Sequence, residues 1–262
     1  PSVPYDSGRR PPWPGPGFPV PRLNPAGARV FASPAGFLAR TDAIDARMLA
    51  ALGQCLNPPA QAEEDKARTA LAQAHKRRDQ LVHARQKERT RRTECDDAAL
   101  RADIEAHIAW LDARIRLWDA EIASQIAQSA SLANAARRLR SIPGIGPVAT
   151  TALLALMPEL GRRSPKTIAA IAGLAPFTVA SGQFRGASRI QGGRKRVRDA
   201  LYMAAVSAAR TAPRFAAFYQ SLRPAGKPAK LALIAVARKL ITIANAVLRD
   251  DIAFQPRQTP TT

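Results

Sequence analysis

Carboxylates are nearly missing from the last third of this chain. Between Gly161 and Arg249 the one acidic residue is Asp199, against seventeen lysines and arginines. A solvated charged surface mixes its signs, so this block is not ordinary solvation. It matches a polyanion whose condensed counterions basic side chains release. Over all 262 residues, 40 Lys and Arg face 20 Asp and Glu, a net charge of +20. Cysteine and histidine are scarce too. Cys55 and Cys95 stand far apart without CxxC spacing, and the three histidines are His75, His83 and His107. That excludes a disulfide framework and a zinc-ligand pattern, and both cysteines are expected to be ordinary helix residues in a reducing cytoplasm. Aromatic residues make up 5% while the apolar share is 46%. Much of that share is alanine, which favours helices over pleated sheets. The letters suggest no long apolar segment and no signal-peptide core, so no membrane partner is expected.

What is present divides the chain into five stretches. Residues 1–22 are rich in proline and glycine, without helical or strand periodicity, and are expected to be disordered. The chain opens on Pro1 rather than Met, which reads as a fragment or a processed product. Residues 23–57 turn globular, with Val30, Phe31 and Phe37 and a helix from Asp42 to about Leu52. After Pro58 and Pro59, residues 60–138 carry no proline or glycine. Ile104, Ile108, Leu111, Ile115, Trp118, Ile122 and Ile126 recur there at steps of three and four, the stripe of a coiled coil or helical hairpin. Trp110 and Trp118 are both expected to pack in the core or that seam. Residues 139–250 alternate helices with glycine and proline punctuation, the strongest helices spanning about 195–211 and 229–249. Residues 251–262 form a tail. The fold class is mainly α.

Three motifs could carry chemistry. Leu139 to Ala149, with Pro143, Gly144, Ile145 and Gly146 at its centre, has the helix-hairpin-helix pattern. Glycines there permit positive φ and close approach to a phosphate, which the amides of the next helix would bind without base readout. The same letters also describe a plain tight turn between packed helices. Ser181-Gly182, followed by Arg185 and Arg189, places a hydroxyl on a glycine-flexible loop beside cations able to neutralise an attacked phosphodiester. Ser-Gly is also a common turn, and Ser188 competes within the same loop. Arg194, Lys195, Arg196, Arg198, Lys227, Arg238 and Lys239 extend the candidate phosphate-binding set. Asp42 and Asp45 stand three apart on one helix face, able to offer oxygen ligands to a hard cation. Thr41 as N-cap, with two acids favouring the helix start, accounts for the same spacing.

Taken together, these pieces resemble the insertion sequence 110/116/902 group of transposases. The family order is followed by Ile142–Pro147, Pro158–Gly161, Ala172–Phe177, Ser181-Gly182, Arg185-Gly186, Gly192–Arg194, Val197-Arg198, Ala200–Ala205, Phe218-Tyr219, Gly226–Pro228, Arg238–Leu240 and Asn245-Ala246. The resemblance implies a RuvC-like (RNase H-like) α/β domain, a coiled-coil spacer and a C-terminal transposase domain. It implies that Ser181 matches the nucleophile that links transiently to DNA. Asp42 and Asp45 match the last two members of an Asp-Glu-Asp-Asp tetrad holding Mg²⁺. DNA, an element-encoded guide RNA and a homo-oligomer are the implied partners, in a bacterial cytoplasm at the nucleoid. The tetrad's first Asp and its Glu belong upstream of Asn24, where residues 1–22 offer only Asp6 and no Glu. The expectation is therefore an N-terminally truncated chain whose 23–57 segment is a remnant of the metal domain. The alternative is a catalytically dead remnant that only binds nucleic acid.

Overall fold

A computed structural model describes residues 25–37, 41–56, 65–177, 180–181, 184–185 and 189–255. The expected disorder of residues 1–22 and most of the tail lie outside these. The described residues fall into two compact units that divide after Glu64.

The first unit holds two helices, α1 (Pro25–Ala32) and α2 (Asp42–Leu56). Ala28, Met48 and Leu52 are its buried core, with Phe31 and Phe37 packed against them. No strand occurs among its described residues, so the expected α/β remnant is a helix pair here.

The second unit starts with an antiparallel hairpin of α3 (Lys66–Glu94) and α4 (Ala98–Gln128). Asp65 caps α3 by accepting from the Ala67 and Arg68 amides, and Asp97 caps α4 by accepting from Leu100. The three-residue link through Cys95 leaves the second helix no course but back along the first. Cys95 thus ends α3 rather than lying within a helix. Leu81, Leu111 and Ile115 form a dry seam midway, with Trp118 against it. Arg78, Arg85 and Arg92 face Asp119, Asp112 and Glu105 at seven-residue steps, with N···O distances of 2.5, 2.5 and 3.9 Å. Such exposed pairs add little stability, so their effect is to fix the register of the seam. Arg85 donates to Asp112 and holds its carboxyl below the ordinary range. Trp110 departs from expectation: it is 53% exposed and lies beside His107. Its position immediately before Leu111 turns it about 100° off the buried stripe.

Seven further elements follow, and the six helices among them build most of the main core. They are α5 (Ala130–Arg140), α6 (Pro147–Leu156), α7 (Pro165–Ile171), a short ribbon, α8 (Lys195–Thr211), α9 (Pro213–Leu222) and α10 (Ala229–Arg249). The boundary expected at residue 138 falls inside α5. Leu132 and Leu139 of α5 share one core with Leu71 and Ile122 of the hairpin. Within α6 every residue from Ala149 to Ala155 is buried. Helix α10 corrects the sequence reading, because it is long and apolar enough to cross a membrane by length and composition. It is instead the central core helix, packing on α5, α7, α8 and α9 with Val236, Ala237, Leu240, Ile241 and Ala244 wholly buried.

One polar residue in α10 orders the loop between α6 and α7. The buried Asn245 side chain accepts from the Gly161 amide at 2.8 Å and donates to the Arg163 carbonyl at 3.0 Å. Gly161 sits at φ +83, where a Cβ would lie 3.2 Å from Leu248. Asn245→Ala leaves both backbone groups without a partner, an expected cost of about 2–4 kcal/mol. Urea unfolding reads that loss, and a change under about 0.5 kcal/mol would contradict the clamp.

Candidate nucleic-acid interface

Ser181 lies on a ribbon rather than a loop. Strand β1 (Pro176–Phe177) pairs antiparallel with β4 (Arg189–Ile190), and β2 (Ala180–Ser181) pairs with β3 (Phe184–Arg185). The register sets Ser181 opposite Phe184 and Ala180 opposite Arg185, so Ser181 occupies the last paired position of the inner hairpin. Residues 182, 183 and 186–188, with the competing Ser188, lie outside the described residues. Two-residue strands leave no period for a sequence to display, so the segment reads as loop from its letters alone.

The ribbon is clamped where it leaves the core. Gly173 and Gly193 pack backbone to backbone: a Cβ on Gly193 would stand 2.3 Å from the Gly173 nitrogen. Both have positive φ, at +71 and +68. Arg198 donates to the Gly192 carbonyl at 2.8 Å and the Gly173 carbonyl at 3.3 Å, tying both ends of the ribbon to α8. Arg194 forks onto Glu159 at 2.6 and 2.7 Å and donates to the Leu156 carbonyl at 2.6 Å. Burial, the largest single influence, works to raise the Glu159 carboxyl, but Arg194, a backbone hydrogen bond and the charge of Arg163 together hold that group below its usual range. Arg194 and Arg198, expected on phosphates, are therefore engaged in positioning the ribbon. Glu159 was the available signal, because a carboxylate among apolar residues at the edge of a basic block needs a cation.

The turn from Ser141 to Gly146 also divides in role. Gly144, at φ +88, faces α8, where a Cβ would meet the Ala204 carbonyl oxygen at 2.5 Å. Its freedom serves packing rather than approach to a phosphate. Ile145 is buried in the core and Pro143 is half-buried. Gly146 is open: a Cβ there meets nothing within 4 Å, and no side chain caps the start of α6. The adjoining Val148 is 42% exposed.

Of the remaining candidates, Lys195 pairs with Asp199 at 2.6 Å and Arg196 lies 3.9 Å from Asp79 of the hairpin. Lys239 stands 4.1 Å above the Phe218 ring. Arg238 is half-buried and Lys227 is exposed. For Arg185 and Arg189 the structure gives the strand positions. Among the described residues no carboxylate pairs with Arg210, Arg214, Lys227, Lys230, Arg238 or Lys239.

Asp42 and Asp45 lie exposed in the first turn of α2, with the Thr41 hydroxyl accepting from the Ile44 amide at 3.4 Å. That is the capping arrangement. No third His, Cys, Asp or Glu joins them among the described residues. Two exposed carboxylates on one turn do not fit a Mg²⁺ centre, which needs near-octahedral oxygen coordination.

Comparison with known proteins fits this architecture. The model of the Transposase IS116/IS110/IS902 family matches residues 136–220, which span α5 through most of α9. The pilin gene-inverting protein of Moraxella bovis is 34% identical over 242 residues, covering 90% of this chain and 74% of its own length. The corresponding protein of Moraxella lacunata is 34% identical over 248 residues, with the same shares. The insertion element IS110 uncharacterized 43.6 kDa protein of Streptomyces coelicolor is 33% identical over 45% of this chain and 30% of its own length. The chain belongs to the IS110/IS116/IS902 family of transposases.

Proposed function

We propose that this chain binds DNA through the unpaired cations of α8 to α10 and exchanges strands through Ser181. The carrying observation is the clamped ribbon. Two glycines and two arginines are committed to holding one short hairpin whose last paired residue is a serine. In this reading the Ser181 hydroxyl oxygen attacks a backbone phosphorus, the oxygen–phosphorus bond forms, and one strand hydroxyl leaves. The leaving oxygen gains a proton, the serine proton passes to solvent, and a hydroxyl from another strand reverses the step. The phosphodiester is thereby conserved without an external energy source. Between Gly161 and Arg249 there is no histidine and no carboxylate except Asp199. Arginine keeps its proton, so its contribution is to neutralise the crowded phosphate rather than to act as base. A homo-oligomer and an element-encoded guide RNA belong to the same reading, and family membership is their support.

A second reading, binding without cleavage, is favoured by the place of Asp42 and Asp45, exposed in the first turn of α2 where they suit the helix start. Both readings require phosphate contacts, and salt dependence measures these. Each contact contributes a slope of about 0.9 in log K against log salt for duplex DNA. Replacing Arg210, Lys227 and Lys230 by Gln is expected to flatten the slope by about two to three units. An unchanged slope would remove this surface from the interface. Covalent adduct formation then separates the two readings.

A further inference from the structure

We propose that Phe177 stacks on an unpaired base of the bound DNA and so positions that strand along the ribbon that carries Ser181. This rests on the DNA-binding reading above and adds to it a contact made to a base rather than to a phosphate. Aromatic side chains are few, and most are covered. Phe215 is wholly buried, while Trp118, Phe218, Tyr219 and Phe254 pack against the main core. Among the described aromatic side chains two are exposed, Trp110 on the hairpin and Phe177 at 48% on β1. Trp110 lies beside the His107 ring, far from the ribbon in the chain.

Singly exposed apolar side chains are common on protein surfaces, so exposure alone assigns nothing. Three further observations give Phe177 a partner. Its backbone is fixed: the register sets it opposite Arg189, and the clamp of Gly173, Gly193 and Arg198 begins four residues before it. An aromatic ring on such a support loses little freedom when it meets a ligand. The site is also open. Successive strand residues point to opposite faces, and both Pro176 and Phe177 are exposed, so the foot of the ribbon is accessible from both sides. Finally, charge selects the occupant. The one carboxylate between Gly161 and Arg249, Asp199, pairs with Lys195 at 2.6 Å. An apolar protein surface would leave the cations of this block unmatched. A nucleic-acid strand offers phosphates to them and flat base faces to the ring.

Chain reach ties this contact to the reaction. Phe177 and Ser181 stand four residues apart, so their Cα atoms lie within about 14 Å of each other. Phosphates follow one another at about 3.4 Å along a duplex strand, which puts the stacked base within roughly four nucleotides of the attacked phosphate. A base inside an intact duplex is already covered on both faces. Phe177 therefore takes a base that has lost its pairing partner, as happens when one strand leaves its complement to join another.

The test binds the full chain to a single strand of thymidines in which 5-iodouracil replaces some of the bases. Long-wavelength irradiation joins iodouracil to an aromatic ring stacked on it, and mass spectrometry locates the cross-link. It is expected on Phe177. Phe177→Ala should abolish it and weaken binding about five- to a hundredfold, the worth of one stacked base. The slope of log K against log salt should stay the same, because stacking releases no counterions. Phe177→Tyr should restore both cross-link and affinity, and Phe177→Leu, apolar but without a π-face, should restore neither. Ser181→Ala should keep the cross-link. The ring is exposed, so urea midpoints should agree among the Phe177 variants. A Phe177→Ala chain that binds like wild type with an unchanged slope would overturn this proposal and leave the DNA-binding reading standing. Full affinity in Phe177→Leu would do the same, as would loss of self-association in Phe177→Ala with no cross-link in wild type. A wild-type chain without salt-dependent binding would remove both.

Discussion

Ser181→Ala should reduce covalent protein–DNA adducts below about one thousandth of the wild-type level, as expected when a nucleophile is deleted. DNA affinity should stay within about twofold, since one neutral hydroxyl adds little beside many phosphate contacts. The substitution is structurally mild. Ser181 holds its place through backbone pairing with Phe184, and alanine preserves that pairing. The ribbon's position is set at its base by Gly173, Gly193 and Arg198, all away from residue 181 in the chain. Loss of adducts with binding intact therefore reports chemistry rather than folding. Ser188→Ala should leave adducts in place. Adducts that persist in the Ser181 variant would remove the nucleophile from this residue.

Gly144→Ala and Gly146→Ala should differ sharply although they stand two residues apart in one turn. At Gly144 an alanine meets positive φ, which costs about 1–2 kcal/mol. Its Cβ also lies 2.5 Å from the Ala204 carbonyl oxygen and 2.6 Å from the Ala208 Cβ. Neither can yield without shifting α8, and overpacking of this kind costs about 1–3 kcal/mol more. A total of roughly 2–5 kcal/mol is a large share of a domain's net stability of about 5–15 kcal/mol. At Gly146 the φ is −84 and nothing lies within 4 Å. There the change should stay under about 1 kcal/mol, the cost of alanine in place of glycine at a helix N-cap. Urea midpoints of the two variants provide the comparison. Equal losses would show that the turn does not pack on α8 as described.

Much of the helical frame can be read directly from the letters. Pro213 after one apolar run and Pro228 before another bound α8 and α10 at the expected residues. The three-and-four stripe on α4 is buried or half-buried at every one of its positions. Trp110 could have been placed correctly, because it stands off that stripe. Other roles were not legible. An arginine inside a basic block has the same letter whether it meets a phosphate or, like Arg194, a carboxylate 35 residues away. Gly144 and Gly146 likewise look alike until α8 is laid across one of them. Asn245 is known as a clamp only from its two distant partners.

The most direct measurement is the identity of the residue that carries DNA. The full chain is incubated with a supercoiled plasmid bearing its own gene and flanks, denatured, and digested with nuclease and trypsin. Cleavage after Lys166 and Arg185 separates Ser181 from Ser188, which falls on the next peptide. The account predicts a nucleotide mass on the Ser181 peptide, absent from Ser181→Ala. A nucleotide on Ser188, on a tyrosine, or on no peptide at all would contradict it.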